Sequence, residues 1–233
     1  MTTPLTVAPD PLAAFPAPVR WALTRQPVSD TLLAQLQPRL TLEQIHAHCL
    51  AQALLPDALR VIAAVLPVRE SIWWAWVSVR FAMQREGGTP PTPEAHAAVS
   101  AIEQWIVRPD DDNRRTAWQA GQAAGVETPV GMVAAAVFLS GGSVAPPGVT
   151  PVPPPPGGTL PLITGAILLC AVGGTDPAHL TPTMQAFAAQ GLEIVKRLGG
   201  WEAALPMAHD THLRALQEYQ KATGATGAAG GAR

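Results

Sequence analysis

Apolar residues recur along most of this chain at intervals of three and four, the spacing that places them on one face of an α-helix. Between residues 42 and 50, for example, Leu42, Ile45, Cys49 and Leu50 are apolar, and most of the residues between them are polar. No stretch of strand length alternates apolar and polar residues with a period of two. The pattern therefore predicts an all-α protein, an antiparallel array of about eight helices with short connections and one long proline-rich loop.

Several helix starts carry recognisable capping residues. Thr41 precedes Gln44 by three positions, which predicts a reciprocal capping box at the start of a helix. A Thr-Pro pair recurs at Thr92, Thr128 and Thr181, and each pair predicts a helix with threonine as the cap and proline in the first turn. The acidic run 110–112 predicts a further start, because carboxylates cap and favour the positive end of a helix.

Glycine and proline predict where helices end. The glycine pairs at 87–88, 141–142 and 199–200 predict three helix ends, and Pro206 predicts a break in the last helical segment. Proline and glycine content also delimit the domain. We expect an extended proline-rich arm over residues 1–18, a single α-helical domain over 19–223 and a flexible tail over 224–233.

Tryptophans are concentrated in one helical segment, at Trp73, Trp74 and Trp76. On a helix Trp73 and Trp76 share a face, whereas Trp74 points about 100° away, which predicts a central helix packed on two sides. Arg69 lies one turn before Trp73 and is placed to stack on it. Two interpretations remain open: a core helix, or a groove for a peptide or partner helix lined by Arg69, Glu70 and Trp74.

A second unusual segment is the proline-rich loop 141–161, which is long for a connection inside a compact domain. It is either a strap packed across the helices or a docking element for another protein, a common use of polyproline segments. The candidate binding residues in this loop are Pro146, Pro147, Pro153, Pro154, Pro155 and Pro156.

These two segments together resemble an uncharacterised bacterial all-α family, a domain of unknown function. The resemblance rests on Leu66-Pro67, Arg69-Glu70 and Trp73-Trp74, then on Ser140-Gly141-Gly142-Ser143, Ala145-Pro146-Pro147 and the run 153–156. It implies an accessory or chaperone-like protein of a type VI secretion system, whose partner is a spike, tip or effector protein. It implies no catalytic residue.

Composition excludes several classes. The net charge is −2 and the pI is near 6.3, so no basic field exists to hold nucleic acid. Cys49 and Cys170 lie in apolar surroundings and are expected to be two buried thiols of a cytoplasmic protein. The longest apolar run, 160–172, is shorter than the roughly 20 residues of a membrane span. The first residues lack the basic and apolar regions of a signal peptide.

Histidine offers the main alternative chemistry. His209 and His212 would share a helical face, as two metal ligands could, with His179 or Glu202 as a third ligand. His46 and His48 lie on different faces, and each is expected to be a surface or half-buried histidine. No catalytic set or phosphate-binding loop is present, so we expect a non-enzymatic protein-binding adaptor without a cofactor. The alternatives are a metal-dependent enzyme and a self-assembling homo-oligomer.

Overall fold

The computed structural model describes residues 10–85, 90–173 and 177–223, and within these residues it has helices and no strand. A 3₁₀ turn covers Pro177–His179. The α-helices are α1 (Ala17–Arg25), α2 (Asp30–Leu33), α3 (Leu42–Ala51), α4 (Leu55–Val65), α5 (Val68–Met83), α6 (Pro93–Val107), α7 (Asp111–Ala124), α8 (Pro129–Phe138), α9 (Thr159–Val172), α10 (Leu180–Arg197) and α11 (Trp201–Thr223). The all-α prediction is confirmed, and the described helices outnumber the expected eight.

Four of the five predicted caps are present. At the start of α3 the Gln44 amide donates to the Thr41 hydroxyl at 3.2 Å, and the Thr41 amide donates to the Gln44 side chain at 2.9 Å. Thr92 and Thr128 cap α6 and α8 through the hydroxyl alone, which accepts from the Ala95 and Gly131 amides, and each is followed by proline. Asp110 caps α7 through the Asn113 amide at 2.9 Å. These short-range signals were sufficient to place four helix starts.

Two predictions about helix boundaries were wrong. Helix α10 begins at Leu180, directly after the 3₁₀ turn, so Thr181 lies inside its first turn and does not cap it. Helix α11 continues through Pro206 without a break. Proline removes the amide that would bond to the Glu202 carbonyl, but Pro206 and Glu202 are both exposed, so water can satisfy that carbonyl.

Glycines end α10 as predicted, because Gly199 and Gly200 have φ of 93° and 92° and turn the chain into α11. The glycine pair 141–142 follows the end of α8. The predicted break at 87–88, the first half of the predicted arm and the predicted tail lie outside the described residues. Of the arm that is described, Phe15 is buried in the core, and residues 17–18 already belong to α1.

Helices α4 and α5 occupy the centre of the array. Helix α5 packs against α6, α8, α9 and α10, and α4 packs against α1, α3, α9, α10 and α11. Helix α10 lies very close to both, because a Cβ at Gly191 would stand 2.8 Å from Ile62 and 2.9 Å from Trp74. Only glycine allows that approach without displacing the tryptophan ring. Among the described residues, no helix is long and apolar enough to cross a membrane.

The two cysteines are free thiols and both are buried, as predicted. Burial raises the pKa of Cys49 to about 12, and the negative charge of Asp57 contributes. Burial likewise raises the pKa of Cys170 to about 12. Both thiols are therefore protonated at neutral pH, and a protonated thiol is a poor nucleophile and metal ligand.

Candidate functional site

The three tryptophans of α5 divide between the core and the surface. Trp74 is 0% exposed, and its indole N–H donates to the Phe187 carbonyl at 2.9 Å. Trp76 is also buried, and its N–H donates to the Val99 carbonyl at 3.0 Å. Each large ring thus has its one polar group satisfied inside the protein. This corrects the expectation that Trp74 offers surface to a partner: its side chain belongs to the core.

Trp73 remains partly exposed and forms one wall of a groove between α5 and α10. The groove has a volume of 380 Å³, and its apolar wall includes Val77, Ala189 and Ile194. The guanidinium carbon of Arg197 lies 5.9 Å from the Trp73 ring centroid. Glu193 pairs with Arg197 at 3.6 Å. The apolar side chains thus form the floor of the groove, and this ion pair lies at its rim.

The groove also contains a hydrogen-bond acceptor without a donor. The side-chain oxygen Oε1 of Gln190, which lines the groove, is buried and has no hydrogen-bond partner among the residues that the structure describes. A buried acceptor left unpaired costs about 1–3 kcal/mol. An incoming N–H group would remove that cost.

Arg69 and Glu70 do not extend this groove as expected. Arg69 donates from Nε to the Ile106 carbonyl at 2.9 Å, and from Nη2 to Ile106 and to Val107. It therefore holds the C-terminal carbonyls of α6, where a cation is favoured, instead of stacking on Trp73. Glu70 is half-buried in the first turn of α5, where the helix dipole favours a carboxylate.

The proline loop folds back onto the helices and is held there by two arginines of α7. Buried Arg114 donates to the Phe138 carbonyl at 2.6 Å and to the Ser143 carbonyl at 2.8 Å. Arg115 donates to the Ser143 and Ala145 carbonyls, each at 3.0 Å. Both arginines also pair with Asp111. Its hydrogen bonds to Arg115 and then Arg114 hold the pKa of that carboxyl below its usual value.

Hydrogen bonds within the loop give it a defined shape. The Ser143 hydroxyl accepts from the Ala145 amide at 3.1 Å and from the Val152 amide at 2.9 Å. The Val144 amide donates to the Val152 carbonyl at 2.8 Å and closes the loop. Pro146 and Pro147 are exposed at the tip. Pro153, Pro154 and Pro156 are half-buried and Pro155 is exposed; all four line a cavity beneath the loop.

This cavity lies between the loop and α11 and has a volume of 240 Å³. Helix α11 contributes His212, Arg214 and Glu218 to its lining, and α1 contributes Arg25. The sequence analysis missed Arg25. An arginine in the last turn of a helix is expected there for electrostatic reasons alone, so its position gave no signal of a site.

His209 and His212 pack on an aromatic ring of α1. Their ring centroids lie 4.8 Å and 5.7 Å from that of Trp21, in edge-to-face geometry. Burial, with the nearby charge of Arg25 and then His209, lowers the pKa of His212. Within the described ranges, which include His179 and Glu202, no three His, Cys, Asp or Glu side chains form a group that could hold a metal ion.

His46 is buried, contrary to the expectation that it is a surface or half-buried histidine. Its ring centroid lies 5.5 Å from that of Trp201, at the start of α11. Its Nε2 atom is buried without a hydrogen-bond partner, and burial lowers the pKa of His46 to about 4. His48, on another face, contacts the Gln35 side chain at 2.8 Å.

Comparison with known proteins identifies one family. No curated protein and no solved structure matches the chain. Residues 45–195 match the model of a family of unknown function (DUF6931), a range that includes the tryptophan helix, the proline loop and α10 up to the groove. The resemblance to an uncharacterised family is thereby confirmed. The match covers more than half of the sequence, and the chain therefore belongs to the DUF6931 family.

Proposed function

We propose that this protein is a non-enzymatic accessory protein that binds a segment of another protein in the groove between α5 and α10. The observation that carries the proposal is the partly exposed Trp73 beside the unpaired buried acceptor of Gln190. Tryptophan and arginine are the side chains most enriched at the energetic centres of protein interfaces. Trp73 and Arg197 are both in the groove.

The chemistry of the groove favours a particular kind of occupant. Its floor accepts an apolar side chain, and Gln190 accepts one hydrogen bond from an N–H donor. A peptide segment or helix terminus that presents an aliphatic or aromatic side chain next to a free N–H meets both conditions. From the family resemblance, the partner class we propose is a spike, tip or effector protein of a type VI secretion system.

Site-specific photo-crosslinking in the native bacterium tests this proposal. A photoreactive amino acid replaces the exposed Ala189 in the groove, and a control replaces the exposed Ala97 on α6. We expect crosslinks to a secretion component from position 189 only, and their loss when Trp73→Ala is added. Trp118→Ala, which removes a half-buried tryptophan of α7, is the matched control and should leave the crosslinks intact. Crosslinks that survive Trp73→Ala, or occur equally from position 97, contradict the proposal.

A second candidate function is self-assembly, which is favoured by an apolar surface at the other end of α5. Phe81 and Leu169 are each 43% exposed, and Val172 is 62% exposed. Arg85 joins these residues, because it donates to the Cys170 carbonyl at 2.9 Å and lies 6.0 Å from the Phe81 ring. Light scattering of the purified protein tests this candidate. A dimer that becomes monomeric in Leu169→Glu supports it, whereas a monomer at all concentrations contradicts it.

A further inference from the structure

The cavity beneath the proline loop has a predominantly cationic lining. Its charged donors are Arg25 and Arg214, whereas the lowered pKa of His212 favours the neutral form of that ring. The carboxylate among the lining residues is that of the exposed Glu218. Across the described ranges, no carboxylate oxygen lies within 4.0 Å of the guanidinium of Arg25 or Arg214. These cations are therefore not paired by the protein itself.

Of these two arginines, Arg25 is the one with a buried N–H donor that lacks an acceptor within the described ranges. Its Nη1 donates to the Ala64 carbonyl at 3.2 Å, and Nε is buried without a hydrogen-bond partner. Burial lowers the pKa of Arg25 to about 10, so the side chain keeps its charge at neutral pH. Arg25 is half-buried, and a charge that is withdrawn from water is normally paired with an opposite charge, because desolvation is costly. Among the described residues, no carboxylate oxygen lies close to it.

The start of α9 adds to the positive character of the cavity. Thr159, the first residue of α9, lines the cavity, and the helix has neither a side-chain cap nor an acidic residue in its first turn. The Leu160 amide already donates to the Gly157 carbonyl at 3.3 Å and Pro161 has no amide, so it is the helix dipole, and not a set of free amides, that favours an anion at this helix start. This helix end and the Arg25 guanidinium thus favour the same kind of ligand in the same cavity.

We propose that this cavity binds a small organic anion, whose carboxylate or phosphate oxygens pair with Arg25 and Arg214 under the proline loop. Guanidinium groups recognise both kinds of oxyanion with charge-assisted hydrogen bonds. A volume of 240 Å³ is far larger than a single water requires, so the cavity has room for a small dicarboxylate such as succinate. The site is separate from the Trp73 groove and does not depend on the function proposed for it.

Trp21 provides a built-in reporter for this binding. The guanidinium carbon of Arg25 lies 5.1 Å from the Trp21 ring centroid, and His212 contacts the same ring. The protein, with its 7 tryptophans, is labelled with 5-fluorotryptophan, and Trp21→Phe assigns the Trp21 fluorine resonance. Succinate and inorganic phosphate are titrated separately at constant ionic strength. Uncharged succinamide, which has the shape of succinate, is the control.

We expect a saturable shift of the Trp21 resonance with succinate or with phosphate, and none with succinamide. The anion that causes the shift identifies the ligand class. Arg25→Gln should weaken binding at least about tenfold, as expected for loss of a charge-assisted pair. Arg214→Gln changes an exposed side chain without disturbing the core and should weaken binding by a factor of about three or more.

Arg20→Gln is the matched control, because Arg20 is an exposed arginine of the same helix α1 that does not line the cavity. Arg20→Gln and Trp73→Ala should both leave the affinity unchanged. Three results would each overturn the proposal: no saturable shift with either anion, an equal shift with succinamide, or full affinity retained in Arg214→Gln and Arg25→Gln. If Arg25→Gln fails to fold, Arg214→Gln alone decides.

Discussion

The centre of the molecule and its flank satisfy their buried polar groups very differently. In the centre, formed by α4, α5, α9 and α10, Trp74 and Trp76 donate to backbone carbonyls, and so does Ser78, to the Trp74 carbonyl at 3.0 Å. In the described flank, formed by α1 with its C-cap, α3 and α11, three buried polar atoms lack a hydrogen-bond partner: Nε of Arg25, Oε1 of Gln26 and Nε2 of His46. The described centre has one such atom, Oε1 of Gln190 at the surface groove.

This difference partly follows the boundary of the family match. Residues 45–195 include α4, α5, α9, α10 as far as residue 195 and most of α3, whereas α1 and α11 lie outside that range. The unpaired groups of the flank therefore lie where these outer helices cover the family core. We infer that the centre contributes most of the stability of the fold. In the flank, we infer, anion binding and the protonation of His46 change that stability. Four predictions test that comparison.

The largest expected effect is on the centre. Trp74→Ala removes a fully buried ring and its hydrogen bond to Phe187, and we expect it to lower the free energy of unfolding by about 3–5 kcal/mol. Trp21→Ala in the flank removes a half-buried ring and should cost only about 1–2 kcal/mol. Urea denaturation measures both variants. Equal losses would remove the energetic distinction between centre and flank.

In the flank, His46 should make stability depend on pH. Its pKa is about 4 in the folded protein and near the ordinary 6.5 in the unfolded chain, so the unfolded state takes up a proton first as the pH falls. Stability from this group is complete above pH 6.5 and is lost towards pH 4, by up to about 3 kcal/mol. Thermal unfolding from pH 7 to pH 4 measures this loss.

The control for this prediction is His46→Leu, which should remove most of the dependence in that pH window and leave the part that comes from the lowered pKa of His212, whereas His48→Asn should retain the full dependence. Carboxylates act in a lower window. The pKa values of Asp110 and Asp111 are below the ordinary 3.8, so their contribution is present above that value and is lost as the pH falls further. A pH dependence above pH 4 that is unchanged in His46→Leu would assign the effect to another group.

The third prediction concerns the proline loop, which belongs to the family segment but covers the flank cavity. Arg114→Met removes the charged hydrogen bonds to Phe138 and Ser143 and should cost about 2 kcal/mol. Hydrogen exchange of the Val144 and Val152 amides should accelerate, because their loop bonds lose this support. Arg108→Met removes an exposed ion pair with Asp110 and should change neither quantity measurably. Unchanged hydrogen-exchange rates in Arg114→Met would mean that the loop keeps its shape without this arginine.

The smallest expected effect tests how tightly the centre is packed. Gly191→Ala places a methyl group 2.8 Å from Ile62 and 2.9 Å from the Trp74 ring, and should cost about 1 kcal/mol after the gain in helix propensity. Gly165→Ala meets Met132 Cε at 2.6 Å, the flexible end of a long side chain that can move away. It should be neutral or stabilising in denaturant unfolding. An unchanged free energy of unfolding in Gly191→Ala would show that the centre is packed less tightly than these distances indicate.

Local features of the fold were predictable because the interactions that decide them span few residues. Thr41 and Gln44 cap each other across three positions, and Thr92 and Thr128 act over the same distance. The prediction failed at Thr181, where a 3₁₀ turn already begins the helix, and at Pro206, where exposure decides whether the lost bond matters.

The candidate sites were predictable only in part. The positions of the tryptophan helix and of the proline loop followed from the sequence. Which tryptophan of that helix lies at the surface did not. Helical geometry separates Trp73 from Trp74 by about 100°, yet it cannot say which of the two rings is fully buried against α10. Arg25 could not be connected with the loop, because 128 positions (153 minus 25) separate it from the first proline of the cavity wall.

By itself the sequence determined the helical class, most of the helix starts, the buried thiols and the resemblance to a family. Each depends on residue type, on spacing within a turn or two, or on a motif written in consecutive residues. The tertiary structure alone decided that Trp74 is core and Trp73 is surface, that His209 and His212 pack on Trp21, and that Arg25 faces a cavity without a counter-ion. The physical reason is desolvation: whether a polar or aromatic group is removed from water, and what it meets there, depends on helices that are distant in the chain.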